Sequence, residues 1–167
     1  MTVLKLDQTL ADLCSVFTRT GTLEWIGLRP GKKLGMAVVN EADLIRGEGI
    51  SGDHYSINNY SGKRQVTLIQ AEHLPVIAAL CGLQSINPSC LRRNLLISGI
   101  NLAALKDKQF CIGTVLLEGT GYCHPCSRME QNLGPGGFNA VRNHGGITAM
   151  VLKSGKITTG DTVSLAE

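Results

Sequence analysis

The sequence predicts a mainly β fold with a few helices (α+β), closing wholly or partly into a β-barrel. Three observations predict it. Apolar residues fall in many short runs separated by glycine-containing turns. Glycine is frequent, at 20 of 167 residues, which suits a chain of tight turns better than a helix bundle. Aromatic residues make up only 4%, so the core must be assembled from Leu, Ile, Val and Ala.

The length suits one domain with one substantial core, and 43% hydrophobic against 17% charged residues is the balance of a folded chain. We expect a helical extension over residues 1–20, packed on a single domain over 21–167. A formal charge of +3 without any long Lys/Arg run argues against nucleic acid and leaves room for a small anion. No apolar run reaches the roughly 18–20 residues of a membrane span. Met1 to Lys5 carries no signal-peptide core, so a soluble, cytoplasmic protein without a membrane partner is expected. In that compartment the six cysteines should be mostly reduced thiols. Cys14, Cys81 and Cys111, in apolar surroundings, read as small buried hydrophobes.

In chain order, Leu6, Leu10, Leu13 and Phe17 share one face of a helix over 6–18, ended by Gly21. Strands follow at 22–28 and 36–39, with Arg29-Pro30-Gly31 as the turn between them. A segment from Leu44 to Ile50 leads to a glycine-containing loop around Asp53, His54 and Tyr55, then a polar surface loop over 56–62. Residues 64–70 form a strand. Residues 71–81 form a helix with Leu74, Ile77, Ala78 and Cys81 on its buried side and Gly82 as its C-cap. Pro88 opens a short helix. It passes into a strand over 91–97, where alternation would turn Arg92 and Asn94 to one side and Arg93 to the other. Either this is a solvated edge or one side faces a cavity holding an anion. Turns at 99–102, a short strand at 110–112, a strand at 113–119, a helix at 137–142 and a strand at 147–152 come next. A hairpin turn at 153–156 and a last strand at 162–165 complete the chain.

The chemistry concentrates in Cys123-His124-Pro125-Cys126-Ser127-Arg128-Met129-Glu130. With Pro125 at the first helical position, Cys126 lies just inside a helix whose buried face is Met129 and Leu133. Unpaired backbone N–H groups, the helix dipole, Arg128 and His124 all favour a thiolate there. A thiolate serves a soft metal or sulfur transfer. Three readings stand together. One is a thiol–disulfide oxidoreductase pair, Cys123 with Cys126, although the motif lies late in the chain rather than after a first βαβ strand. Another is structural zinc, which needs more ligands than Cys123, Cys126 and His144 supply. The third has Cys126 acting alone as metal ligand or sulfur carrier.

Several segments, taken in order from Gly21 onward, resemble the MOSC domain family, named for the C-terminal domain of molybdenum cofactor sulfurases. They are Leu23-Glu24-Trp25-Ile26-Gly27-Leu28-Arg29-Pro30, Gly52-Asp53-His54-Tyr55, Arg64 to Glu72, Leu91-Arg92-Arg93-Asn94-Leu95, His124 to Glu130, His144-Gly145-Gly146-Ile147 and Gly155 to Val163. The resemblance implies a MOSC-type barrel over 21–167 of the stand-alone bacterial kind. It implies binding of the molybdenum cofactor (molybdopterin), with Cys126 ligating molybdenum or carrying sulfur. The family's Arg-x-Asn falls on Arg92 and Asn94, which would contact the pterin or its phosphate. His54 stands where many relatives place an anion-binding Arg. As a molybdenum-dependent enzyme the protein would reduce a small N-hydroxylated substrate with electrons from a separate donor. As a non-catalytic carrier it would hold a Cys126 persulfide or cofactor for a delivery partner. The sequence presents no pyridoxal-phosphate domain, so sulfur mobilisation from cysteine by that route is not implied.

Overall fold

The computed structural model describes residues 8–55 and 62–167. Eleven strands appear among them: β1 (Gly21–Leu28), β2 (Ala37–Val39), β3 (Glu41–Ile45), β4 (Gly49–Ile50), β5 (Val66–Gln70), β6 (Leu95–Ser98), β7 (Gln109–Ile112), β8 (Val115–Tyr122), β9 (Ile147–Lys153), β10 (Gly155–Thr158) and β11 (Thr162–Leu165). Four helices accompany them: α1 (Leu10–Leu13), α2 (His73–Cys81), α3 (Ser127–Leu133) and α4 (Gly137–Val141). Short 3-10 turns cover Pro88–Leu91 and Leu102–Leu105.

The main sheet runs β11-β7-β8-β9-β5-β6-β1-β2, and a further β11–β1 pairing closes seven of its strands into a barrel. β1 makes the closure by dividing one of its edges. Gly21 and Thr22 pair with β11, while Ile26 to Leu28 pair with β2. All the ladders are antiparallel except β5–β6, so the barrel is mixed. A smaller sheet, β10-β3-β4, stands beside it.

Alternation along the strands explains two separate cores. Leu68, Leu95 and Ile97 belong to the barrel interior with Leu23, Val66, Phe110 and Ile147. The residues between them, Ile69 and Leu96, face outward and pack beneath Ile77 and Ala78 of α2, Met129 of α3 and Val141 of α4. Strands covered on both faces are buried without a break, as 66–69 are despite Thr67, and can read as unbroken apolar runs, as 95–97 do. The helices therefore sit over the outside of β5 and β6, and this fixes where α3 begins.

Four sequence expectations are corrected. The first helix is a single turn, Leu10–Leu13, held by a Thr9–Asp12 capping box with no buried residue; Leu6 lies outside the described residues. The polar loop at 56–62 falls mostly outside them too. The strand expected from Leu91 starts only at Leu95, because Arg92 takes a left-handed backbone (φ 54°) that ends the 3-10 turn. The expected hairpin turn at 153–156 is instead the start of β10, which pairs with β3 rather than folding back on β9. Among the cysteines, Cys14 is exposed, Cys81 and Cys111 are half-buried, and Cys123 is the buried one. No helix among the described residues is long and apolar enough to cross a membrane.

His73 opens α2, and its ring meets His144 edge-on at 5.3 Å. Burial, then the nearby His144 ring, pushes its pKa below the ordinary imidazole value. The unfolded chain therefore binds this proton more readily than the folded one, and stability rises with pH across that interval. As pH falls through the unfolded value of about 6.5, the folded state should lose stability, levelling off below the lower folded value. Melting temperatures between pH 7 and 5 should slope less steeply in His73→Gln. An unchanged slope would exclude His73 as its source.

Candidate functional site

β8 ends at Tyr122, opposite Ile147 of β9, and the chain continues extended. The Cys123 N–H donates to the Gly146 carbonyl at 2.8 Å. Cys126 is the N-cap of α3, in extended conformation, and its carbonyl accepts from Met129 N–H at 2.9 Å. It thus precedes the helix, where the sequence placed it inside the first turn. Met129 is fully buried and anchors the helix, while the Cys126 thiol stays exposed. Glu130 pins the following glycine-rich loop by accepting from the Gly136 and Phe138 N–H groups at 2.7 and 2.9 Å. Those two donors, Phe138 foremost, hold its carboxyl below the usual carboxylate range.

The 123–126 segment is clamped from beneath by Arg93, which is only 3% exposed. Its guanidinium donates to the carbonyls of Gly145 (2.9 Å), Leu91 (2.8 Å), Cys123 (3.3 Å) and His124 (3.4 Å). Gly145 has to be glycine, since a Cβ there would stand 2.2 Å from the Cys123 carbonyl oxygen. Burial is the main influence lowering the Arg93 pKa, yet a guanidinium stays protonated in proteins.

A cavity of about 220 Å³ opens at Cys126. Arg29, Lys32, Lys33, Arg64, Arg92 and Arg128 line it together with His54, Tyr55 and Arg93, and no carboxylate is part of its described wall. Burial, then the neighbouring Arg128 and Arg29, pushes the Arg92 pKa down. A cluster of like charges of this kind is relieved by an anion. The Arg92 side chain reaches in from its left-handed backbone and donates to the Leu34 carbonyl at 3.1 Å. Tyr55 lies against two guanidiniums, with Arg29 at 5.3 Å and Arg64 at 5.9 Å from its ring centre.

Asn94 does not join Arg92. It is fully buried: its Nδ2 donates to Asp53 Oδ2 (2.8 Å) and the Gly27 carbonyl (3.1 Å), and its Oδ1 accepts from the Thr67 N–H, the Thr67 hydroxyl and Arg29. Expected as a ligand contact, Asn94 instead braces Asp53 and Arg29 behind the cavity. Alternation failed here because residues 92–94 precede the strand. Cys126, Arg92 and His54 do line one cavity. Sequence reasoning missed Arg29, Lys32, Lys33 and Arg64 as its wall, and placed Arg128 only as a charge beside the Cys126 thiol. The signal available is the basic cluster Arg29, Lys32 and Lys33 within five residues. Cys123 is buried, and Arg64 of the cavity wall donates to its sulfur at 3.5 Å.

A family model described as "MOSC domain" matches residues 51–164, more than half of the chain. Three solved structures share the fold. The YuaD protein of Bacillus subtilis is 22% identical, with 87% of this chain and 94% of that one covered at a TM-score of 0.74. YiiM of Geobacillus stearothermophilus is 16% identical, with 88% and 75% covered at 0.70. YiiM of Escherichia coli is 18% identical, with 87% and 70% covered at 0.66. No curated protein matches the sequence.

Proposed function

The chain belongs to the MOSC domain family, and we propose that it binds a molybdenum cofactor in the basic cavity, with Cys126 as the protein's thiolate ligand to the metal. The observation that carries this reading is the exposed Cys126 thiol in a cavity walled by cations and free of described carboxylates. The donor set fits the group. A thiolate is a soft ligand suited to a thiophilic metal. Arg92 offers a fork of donors to a phosphate, with Arg64 and Arg128 close by to balance further negative charge. Bound there, the cofactor would supply two-electron redox chemistry, and the reading extends to reduction of N-hydroxylated compounds with electrons from a separate partner protein.

The chain's own contribution is to hold and orient. Arg93 fixes the carbonyls of the segment that presents Cys126, and Met129 fixes the start of the helix behind it. The Asp53–Arg29 pair, braced by Asn94, holds one wall of the cavity in place.

Protein produced in a cofactor-competent host should co-purify with molybdenum and pterin. Cys126→Ser should lower the bound molybdenum at least about tenfold, whereas Cys123→Ser, whose oxygen can still accept from Arg64, should retain it. Protein free of both molybdenum and pterin from such a host would overturn the reading. A persulfide on Cys126 without metal, seen by mass spectrometry, would replace it with a sulfur carrier.

A further inference from the structure

The cations around Cys126 differ in what they face. Arg93 is engaged by backbone carbonyls, and Arg29 is matched by Asp53 at 2.8 Å. Arg64 reaches the Cys123 sulfur and the Tyr55 ring. On the cofactor reading, Arg92, Arg64 and Arg128 meet the bound group. Lys32 and Lys33 remain. Both are exposed, both line the cavity at Cys126, and neither enters an ion pair among the described residues.

Their placement is set by the fold. They stand in the turn from β1 to β2, where Lys33 takes a left-handed backbone (φ 62°) and the Leu34 N–H donates back to the Gly31 carbonyl at 3.4 Å. The Leu34 carbonyl in turn accepts from Arg92 at 3.1 Å. The turn that carries the lysines is thus tied to a residue of the cavity wall. Burial, then the neighbouring Arg128 and Arg29, lowers the Arg92 pKa, so this space already holds more positive charge than its described wall balances. A cationic molecule entering it would meet repulsion, and a neutral one would leave the cluster as it is. An anionic one is drawn in and relieves it. A lysine ammonium is a point charge on a flexible stem, suited to an anionic group that comes and goes rather than to fixed bidentate contact.

We infer that Lys32 and Lys33 select the substrate: the site takes N-hydroxylated compounds that carry an anionic group, and the two ammonium groups hold that group. The inference rests on the cofactor reading and adds a substrate class to it.

Three probes share one ring and differ in charge: benzamidoxime, its 4-carboxylate and its 4-trimethylammonium derivative. Binding of each to the full chain carrying molybdenum and pterin is measured by equilibrium dialysis without an electron donor, so that affinity is read in the absence of turnover. The carboxylate should bind at least about tenfold tighter than benzamidoxime, as two ion pairs of ordinary exposed strength allow. The trimethylammonium probe should bind weakest. Raising the ionic strength should shrink the carboxylate's advantage. In the double variant Lys32→Gln/Lys33→Asn, where Asn suits the left-handed position, the carboxylate should fall to the affinity of benzamidoxime. Molybdenum, pterin and melting temperature should stay unchanged. The proposal is overturned if the loaded protein binds all three probes alike or none of them, or if the preference survives in the double variant. It is equally overturned if that variant loses molybdenum and pterin, which would make the lysines cofactor ligands. Each of these results leaves the cofactor reading standing. Protein without molybdenum and pterin from a cofactor-competent host removes that reading, and this proposal with it.

Discussion

Replacing Asp53 with Ala should lower the free energy of unfolding by about 3–5 kcal/mol, because it strips the partner from a buried charge. Asp53 is 1% exposed, and its two carboxylate oxygens collect five donors. Oδ2 accepts from the Arg29 N–H at 2.9 Å, Arg29 Nε at 3.1 Å and Asn94 Nδ2 at 2.8 Å. Oδ1 accepts from the Arg29 terminal nitrogen at 2.8 Å and the Tyr55 N–H at 3.0 Å. The ion pair is bidentate, and Arg29 is itself mostly buried. After the substitution Arg29 would remain among Arg64, Arg92 and Arg128 with its one carboxylate gone, so the damage spreads to the cavity wall. Domains of this kind have only about 5–15 kcal/mol of stability in total, so the variant should sit near the edge of folding. Urea unfolding of Asp53→Ala and Asp53→Asn separates shape from charge. The Asn variant keeps the volume and one acceptor and should fall between Ala and the native protein. A loss under about 1 kcal/mol for Ala at unchanged m-value would mean that the pair is not holding this wall.

Much of the fold is legible because burial writes itself into alternation. The barrel strands at 21–28, 66–70, 109–112 and 162–165 set buried apolar residues among polar or exposed ones, between turns. The buried side of α2 also follows from spacing: Ile77 and Ala78 are buried, with Leu74 and Cys81 packed against them. What stays hidden has a physical cause in each case. β10 buries a single residue, Ile157, so it carries no pattern of its own and exists only by pairing with β3. The leucines of the N-terminal segment have helical spacing, yet Leu10 and Leu13 are exposed, so spacing there found no core to face. The site divides in the same way. Cys126 and Arg92 stand out from their neighbours in sequence, whereas Arg29, Arg64 and Arg128 converge only through barrel closure and the docking of α3. Residues 92–94 were the hardest to read. Three consecutive polar residues take three different tasks: a left-handed cap reaching into the cavity, a buried clamp, and a buried brace.

The middle one of those three, Arg93, carries the second large effect. Its guanidinium sits on four backbone carbonyls and has no carboxylate partner among the described residues, so its work is to fix backbone. Arg93→Ala removes the donors and leaves buried carbonyls unpaired beside a new void, which should cost about 3–5 kcal/mol. Stability alone would not distinguish this clamp from ordinary packing, and Arg93→Lys makes the distinction. Lysine keeps the charge but is a point donor, unable to span carbonyls on both Gly145 and the Cys123–His124 segment. In Arg93→Lys the 123–126 segment should loosen while the barrel stays folded. Amide hydrogen exchange at Cys123 should then rise at least about tenfold, since its N–H bond to Gly146 joins the two segments that Arg93 clamps. Alkylation of the exposed Cys126 should also change in rate, and on the proposed cofactor reading the molybdenum that co-purifies should fall although Cys126 and Arg92 are untouched. If Arg93→Lys keeps native exchange at Cys123 and native metal content, charge alone suffices at this position. The geometry of four carbonyls around one planar cation would then have no part in presenting the thiol.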